Sequence, residues 1–456
     1  MATKKIVCLG GGSLYFRRAL ADLLICEDLS GSEIVLYDID ADKVEIMAAM
    51  GRRLAEMTGT KFTVRSTVDL TDAVDGADFA ISSIGGSGAE VTPNVYGSYY
   101  HSADMHIPAK YGIHQVVGDT CGPAGMMMAF RSIPAYMEIC REMEKRCPHV
   151  ILLNHSNPMA VLCRAMNKYT DLTVIGICHG VQGGIRHAAG ILGVPPQELE
   201  CIWIGTNHYY WFTRLLHKGH DVYPELMRRL AQRPPEEGRI MSTRLSQIYG
   251  YKIVYPEDDH IIEFYPYATQ VACQADLPYG LAKKAKAHGY DAHTPLGEKE
   301  PASDQVRAEF LNKYQEIVDE TMLPQEQRDP ITGEGIARMI SAMAHGRREI
   351  YIVNIPNNGL IPNLPDYALV EVEGVTDSRG VRGIQAGECP LHLEGILRKR
   401  FVWQELVADA AVRGDRTLAL QALLIDEMAI VPEKAEAMLD ELLDASRDLL
   451  PQFNDR

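Results

Sequence analysis

Three polar clusters of the chain come directly after apolar runs. They are NHSNP (154–158), CHG (178–180) and GTNH (205–208). Thiolate and imidazole are both ligands of transition metals, so Cys178 and His208 could share one ion. Two ligands at this separation are not a specific signal. The competing interpretation of Cys178 is a small, buried structural cysteine.

A glycine turn near the amino terminus could bind a nucleotide. Gly10, Gly12 and Ser13 belong to GGGS, which lies between an apolar run and a helical pattern. Glycine there permits a tight turn and a close approach of the backbone to a pyrophosphate at the helix N terminus. The G-x-G-x-x-G fingerprint is incomplete, because Tyr15 replaces its third glycine. Alone, the turn is a weak indication of a nucleotide site.

Asp38 makes this prediction more specific. It ends the second apolar run, EIVLYD. A carboxylate there accepts hydrogen bonds from ribose hydroxyls and repels a 2′-phosphate, which favours NAD over NADP. Ile84, at the end of a third apolar run, is predicted to form a second wall of the same crevice. The alternative is that Asp38 and Asp40 are only turn residues.

The elements that must position these residues alternate between strand and helix up to residue 196. This alternation predicts a doubly wound parallel sheet, with ligands beyond the carboxyl ends of its strands. The pattern changes at LGVPP (192–196). We therefore predict an NAD-binding Rossmann-like domain over 1–196 and a mixed α/β domain for substrate, metal and oligomerisation over 197–456. Predicted strands are 5–9, 33–38, 78–84, 150–154 and 173–178, and predicted helices are 13–25, 134–147 and 159–169.

Composition excludes several classes of function. The 456 residues contain 45 Lys and Arg against 61 Asp and Glu, a net charge of −16, which argues against nucleic-acid and anionic-membrane partners. No apolar run approaches the roughly 18 residues of a membrane span, and the amino-terminal run is too short for a signal peptide. The ten cysteines are scattered without a CxxC pair. We expect a cytoplasmic enzyme in a reducing compartment.

The chain resembles glycoside hydrolase family four, the NAD- and Mn²⁺-dependent glycosidases. The resemblance spans essentially the whole chain, and CHG together with GTNH is a specific combination. It implies a Rossmann-like sheet, then a mixed α/β domain similar to the C-terminal domain of lactate and malate dehydrogenases, in a homodimer or homotetramer. The motifs that carry it are GGGS (10–13), GDTCGPAG (118–125), FRSIP (130–134), LLNHSNP (152–158), GICHG (176–180), GTNHYYWF (205–212) and NGLIPNLP (358–365).

The resemblance also implies roles for single residues. Cys178 and His208 resemble the Mn²⁺ ligands, although a thiolate also suits other divalent transition metals. Asn154 resembles the residue that hydrogen-bonds the 2- and 3-hydroxyls of the sugar, and we assign Asn207 to the substrate as well. Asp119 stands close to the metal and substrate, where the family often has Glu. Gly10, Gly12, Ser13 and Asp38 resemble the NAD contacts.

The acid and the base are less sharply defined by the resemblance. His179 follows the ligand cysteine at a position that varies with substrate, and in some members an Asp there is the proposed general acid. Many members have a catalytic tyrosine in the stretch that corresponds to 248–260. We favour Tyr249 as the base, with Asp259 second, while Tyr251 and Tyr255 compete. A neutral tyrosine would need the field of the metal to act as a base.

The family mechanism combines hydride transfer from C3 of the sugar to NAD⁺, C2 deprotonation, elimination of the aglycone, addition of water and return of the hydride, with retention. We expect exo-acting hydrolysis of unphosphorylated α-glycosides or small oligosaccharides, with α-galactosides favoured. Alternatives are an α-glucosidase, an α-glucuronidase or an α-galacturonidase, because Gly180 departs from the Ser usual in the α-galactosidase branch. A 2-hydroxy-acid dehydrogenase is the alternative from another enzyme class, and it would accumulate NADH.

Overall fold

The computed structural model describes residues 3–86, 95–234, 236–255, 257–265, 269, 271–288, 290–291, 295–297, 299, 302–320 and 335–454. Its centre is a nine-stranded sheet of order β12-β11-β10-β6-β5-β4-β1-β2-β3, and β7-β8-β9 form a second sheet. The strands are β1 Lys5–Leu9, β2 Glu33–Tyr37, β3 Thr63–Thr67, β4 Phe79–Ser82, β5 Ile151–Asn154, β6 Thr173–Gly176, β7 Leu199–Thr206, β8 Tyr209–His217, β9 His220–Asp221, β10 Ile350–Pro356, β11 Leu369–Asp377 and β12 Gly380–Gly383.

The predicted doubly wound sheet is confirmed, since β1 to β6 pair in parallel. Strand β1 lies in its middle and has four consecutive side chains, from Ile6 to Leu9, with no exposed surface. Helices cover both faces of a parallel sheet, so its central strands read as continuous apolar runs. This is why β1, β4 and β5 could be predicted from their apolar runs in the sequence.

Three antiparallel strands extend the parallel sheet. Strand β10 pairs with β6 through Asn354 and Gly176, and β11 and β12 follow it outward. These strands come from residues 350–383, well beyond residue 197. The division of the chain at 196 and 197 stays a prediction, and the large sheet includes strands from both sides of it.

Helices surround the large sheet. The helix predicted over 134–147 begins earlier, at Gly122, and Pro134 lies inside it rather than at its first turn, which Pro123 occupies. No helix in the described part of the chain is long and apolar enough to cross a membrane. The helices are α1 Tyr15–Leu24, α2 Ala41–Thr58, α3 Leu70–Val74, α4 Tyr99–Lys110, α5 Gly122–Arg146, α6 Met159–Tyr169, α7 Gly180–Leu192, α8 Tyr223–Gln232, α9 Ile240–Tyr249, α10 Asp258–Ile261, α11 Leu281–Ala287, α12 Asp304–Asp319, α13 Ile336–Ala344, α14 Leu391–Arg413, α15 Arg416–Ile425 and α16 Pro432–Ala445.

Candidate active site

A cavity of about 710 Å³ opens at the carboxyl edge of the parallel strands. Open α/β sheets bind their ligands at this edge. Gly10 and Asp38 line one end of the cavity, Ile84 lies along its wall, and Asp119 and Asn157 line the other end. The volume is typical of a site for a large small-molecule ligand.

The glycine loop forms the first end of the cavity. Gly10 has φ +76°, and an added Cβ would lie 2.2 Å from the carbonyl oxygen of Ser83, so the position requires glycine. Asp38 faces this loop, where its Oδ2 accepts a hydrogen bond from the amide of Gly12 (2.9 Å). Ser13 Oγ lies 3.0 Å from Ser83 Oγ. The bare loop and the carboxylate leave room for a dinucleotide, so the residues present fit NAD.

Helix α12 crosses the same loop from a distant part of the chain. The hydroxyl of Tyr314 donates to the carbonyl of Gly12 (2.6 Å). Arg307 Nη2 lies 2.9 Å from Asp40 Oδ1, which anchors the start of the helix beside the loop. Tyr314 was not predicted as a cavity residue, because nothing local to residues 304–319 indicates a nucleotide.

Candidate metal ligands meet near the other end of the cavity. Cys178 Sγ lies 3.5 Å from His208 Nε2. One ligand atom each from Asp119, His208 and His260 lies within 4.8 Å of the others. A thiol, two imidazoles and a carboxylate are donors that bind divalent transition metals, so this donor set fits such an ion.

Local structure brings these side chains together. Cys178 lies between β6 and α7, and the amide of Gly180 donates to its sulfur (3.4 Å), as it would to a thiolate ligand. His208 is the second residue of the two-residue turn between β7 and β8, in a left-handed conformation with φ +63°. Asp119 lies just before α5, and His260 lies in α10.

Burial and neighbouring charges set the protonation of the cluster. Burial alone would raise the pKa of Asp119, but His260, His208 and hydrogen bonds from Thr120 and Asn157 lower it to about 2. Burial, reinforced by the charge of His260, lowers the pKa of His208 to about 3. The cluster therefore offers an ionised carboxylate and a neutral imidazole at neutral pH, which are the forms that bind metals.

The NHSNP segment uses its two asparagines differently. Asn154 has no exposed surface, and its side chain bonds only protein groups: Oδ1 accepts from Ser82 Oγ (2.9 Å) and Tyr136 Oη (2.8 Å). Asn157 lines the cavity and donates from Nδ2 to Asp119 Oδ2 (2.9 Å). Asn157 rather than Asn154 is therefore the asparagine of this motif that contacts Asp119.

Asn207 is buried in the turn before His208. Its side chain is 1% exposed, and Nδ2 donates to Oε2 of the buried Glu371 on β11 (3.1 Å). This contact ties the turn that carries His208 to the large sheet. The substrate contact expected of Asn207 stays a prediction.

Among the candidate tyrosines of residues 248–260, Tyr255 packs against the cluster. Its ring centroid lies 4.8 Å from that of His208 and 4.9 Å from that of His260. Tyr249, the tyrosine favoured from the sequence, instead packs against Tyr265 and stacks on His392 at a centroid distance of 6.0 Å.

Asp259 and His179 also border the cluster. Asp259 Oδ1 lies 3.0 Å from His260 Nδ1 and orients that imidazole. His179 is exposed at the N terminus of α7, directly after Cys178. The hydroxyl of Tyr96 donates to Asp119 Oδ2 (2.8 Å), and this residue was not predicted because no motif surrounds it.

The sequence matches two family models. The family model described as family 4 glycosyl hydrolase matches residues 5–194. The model of the family 4 glycosyl hydrolase C-terminal domain matches residues 203–429. The two matches together cover most of the chain.

Individual relatives agree over the full length. An α-galactosidase of Bacillus subtilis (strain 168) is 29% identical, over 99% of this chain and 100% of that protein. An α-galacturonidase of Lachnoclostridium phytofermentans is 28% identical, over 98% of this chain and 97% of that protein. The crystal structure of a 6-phospho-α-glucosidase from gut microorganisms, in complex with NAD and Mn²⁺, is 20% identical with a TM-score of 0.79 and covers 99% of this chain and 100% of that one. This last likeness shows a shared fold.

Proposed function

The chain belongs to the family 4 glycosyl hydrolases, and on that premise we propose that it is an exo-acting α-glycosidase that uses NAD and a divalent transition metal. α-Galactosides are the favoured substrates, and Mn²⁺ is the favoured ion. The observation that carries the proposal is the pairing of Cys178 and His208 close to Asp119, which lines the same cavity as Gly10. A conventional hydroxy-acid dehydrogenase needs no such Cys–His pair.

The two ends of the cavity have different tasks in this proposal. Gly10, Gly12, Ser13, Asp38 and Ile84 would hold the nucleotide. Cys178 and His208 would hold the ion, with Asp119 and His260 beside it. Bound there, the nucleotide supplies a hydride acceptor, and the ion supplies Lewis acidity toward the hydroxyl oxygens of the sugar.

The residues of the chain hold and move the protons. We assign removal of the C2 proton to Tyr255, because its ring lies against both His208 and His260. Burial and the charge of Asp259 raise the pKa of Tyr255 well above its ordinary value. The phenol therefore becomes a base only when positive charge lies beside it.

Substrate orientation falls to the polar groups that surround Asp119. Asn157 replaces Asn154 as the amide assigned to the sugar hydroxyls, since it lines the cavity. His179, exposed next to Cys178, is the residue we assign to the aglycone side as acid or substrate contact. Asp259 would keep the ring of His260 in place.

The α-galactosidase relative, at 29% identity, supports the choice of sugar. The α-galacturonidase relative supports an alternative in which C6 of the sugar is a carboxylate. A panel of aryl α-galactoside, α-glucoside, α-galacturonide and 6-phospho-α-glucoside, assayed with NAD⁺, Mn²⁺ and reductant, tests this. We expect turnover to be fastest on the α-galactoside, without net NADH at 340 nm.

Two results of this panel would contradict the proposal. The absence of turnover on every unphosphorylated α-glycoside would reject the substrate class, and accumulation of NADH with a hydroxy acid would favour the dehydrogenase. Hydrolysis in D₂O tests the route, because loss of the C2 proton to solvent followed by delivery of a solvent deuteron introduces deuterium at C2. A released sugar without deuterium would count against elimination. Cytoplasmic location and assembly into a homodimer or homotetramer remain predictions.

A further inference from the structure

The hydroxyl of Thr120 lies between Asp119 and His208. Thr120 Oγ1 is 2.6 Å from Asp119 Oδ1 and 3.2 Å from His208 Nδ1. Thr120 thus connects the side chains of two residues that belong to different elements, the loop before α5 and the turn between β7 and β8.

The direction of these two hydrogen bonds follows from the number of protons. Asp119 Oδ2 accepts from both Tyr96 Oη and Asn157 Nδ2, the pattern of an ionised carboxylate, which can only accept. The single hydroxyl proton of Thr120 therefore points to Oδ1 of Asp119. Its oxygen then accepts from His208, so Nδ1 of His208 must carry a proton.

This assignment fixes which nitrogen of His208 is available to a metal. With the proton on Nδ1, the lone pair of the neutral imidazole lies on Nε2. Nε2 is the atom that lies 3.5 Å from Cys178 Sγ. The opposite tautomer would place a proton where the ion must bind.

Packing holds Thr120 in this position. An added Cβ at Gly125, in the first turn of α5, would lie 2.9 Å from the carbonyl carbon of Thr120. The helix therefore packs directly on the backbone of Thr120, while the hydroxyl is held by its contacts with Asp119 and His208.

We propose that Thr120 is a positioning residue that fixes the tautomer of His208 and thereby sets the affinity of the site for its metal ion. The inference rests on the proposed metal site. Partners that orient a ligand histidine typically change metal affinity by about 10- to 100-fold when they are removed.

The test compares metal binding by purified full-length variants. Thr120→Val keeps the shape and removes the hydroxyl, whereas Thr120→Ser restores it. Thr213→Val is the matched control. Thr213 lies on the β7–β8 hairpin that carries His208, and its hydroxyl donates to the carbonyl of Ile202 (3.4 Å). Free Mn²⁺ is measured by electron paramagnetic resonance, and NAD⁺ affinity by fluorescence titration.

We expect Thr120→Val to weaken Mn²⁺ binding about 10- to 100-fold while NAD⁺ affinity stays within about twofold. The Mn²⁺ affinity of Thr120→Ser should be within about threefold of the wild-type value, and that of Thr213→Val should equal the wild-type value. A folded Thr120→Val protein with wild-type Mn²⁺ affinity would overturn the inference, as would a serine variant as weak as the valine one. If the valine variant does not fold, Thr120→Ala decides by the same criteria.

A wild-type chain that binds no divalent ion gives a separate result. It would reject the proposed metal site itself, and the role of Thr120 with it. Intact Mn²⁺ binding by the wild type, with no loss in Thr120→Val, would reject only the role of Thr120.

Discussion

The carboxylate of Glu263 accepts a hydrogen bond from the backbone amide of Gly118, at 3.0 Å from Oε1. The same oxygen accepts from the amides of Val116 (2.6 Å) and Val117 (2.7 Å). Glu263 follows α10, which carries His260, and Gly118 precedes Asp119. One buried side chain therefore joins the two segments that bring a carboxylate and an imidazole into the candidate metal cluster.

Glu263→Ala should lower both stability and metal affinity. It leaves three buried amides without their acceptor, and a hydrogen bond to a charged group contributes about 1.5–3 kcal/mol. Burial raises the pKa of Glu263 to about 7, so the comparison is made above pH 7, where the carboxylate is ionised. We expect a loss of about 3 kcal/mol or more in the free energy of unfolding, measured with urea. Glu257→Ala, which removes a half-exposed partner of Arg239 (2.8 Å), should cost less than about 1 kcal/mol. Equal losses in the two variants would contradict the role of Glu263.

Tyr255→Phe and Tyr249→Phe should separate two candidate bases. Both changes remove only a hydroxyl, but Tyr255 lies against His208 while Tyr249 packs on His392. We expect kcat to fall about 10²- to 10⁴-fold in Tyr255→Phe. Steady-state rates on the best α-glycoside should change little in Tyr249→Phe. A larger loss in Tyr249→Phe would restore the base favoured by the sequence pattern.

Gly180→Ala should impair turnover through Tyr255. An added Cβ would lie 2.2 Å from Tyr210 Oη and 3.0 Å from the ring of Tyr255. Displacement of a catalytic group by about 1 Å can cost up to about 100-fold in rate. Gly183→Ala is the matched control in the same helix, where a Cβ meets nothing within 4 Å. Gly183→Ala should keep full activity, and its free energy of unfolding should rise by about 0.5–1 kcal/mol. Similar activities in Gly180→Ala and Gly183→Ala would contradict the predicted clash.

Glu371 should make stability depend on pH. Burial raises the pKa of this carboxyl from 4.5 to about 7. The pKa of Glu371 is higher in the folded than in the unfolded protein, so the protonated carboxyl stabilises the fold. This contribution to the free energy of unfolding is fully present below pH 4.5 and is lost as pH rises through 7. Glu371→Gln keeps a polar group beside Asn207 without a charge. In urea unfolding, the free energy of unfolding of the variant relative to that of the wild type should rise by up to about 1.4 kcal/mol per pH unit between pH 5 and 7. Parallel pH profiles would contradict the buried, shifted carboxyl.

Local signals predicted the parallel sheet and the position of the glycine loop within it. Helix α6 has the predicted bounds 159–169, and GGGS lies between β1 and α1 as expected. These features depend on periodicity and turn chemistry within a short window. The direction in which a side chain points depends on contacts outside that window, which is why the sequence favoured Asn154 whereas Asn157 is the asparagine that contacts Asp119.

Long-range contacts decided the rest of the site. After α9 ends at Tyr249, the chain pairs with the hairpin through the amide of Val254 and the carbonyl of Tyr210 (3.0 Å). This pairing brings Tyr255, rather than Tyr249, against His208. The contact of Tyr314 with Gly12 joins residues 302 positions apart, and no sequence pattern marks it.

The pairing of β10 with β6 also has a consequence for how the chain can be divided. A truncated protein that stops at residue 196 would leave β6 as a bare edge, with unpaired amides and carbonyls that invite aggregation. The missing neighbour comes from the other half of the chain, so the large sheet reaches its full width only late in synthesis. We expect residues 1–196 expressed alone to be insoluble. We also expect the intact chain to fold slowly, because β6 and β10 are far apart in the sequence and must pair.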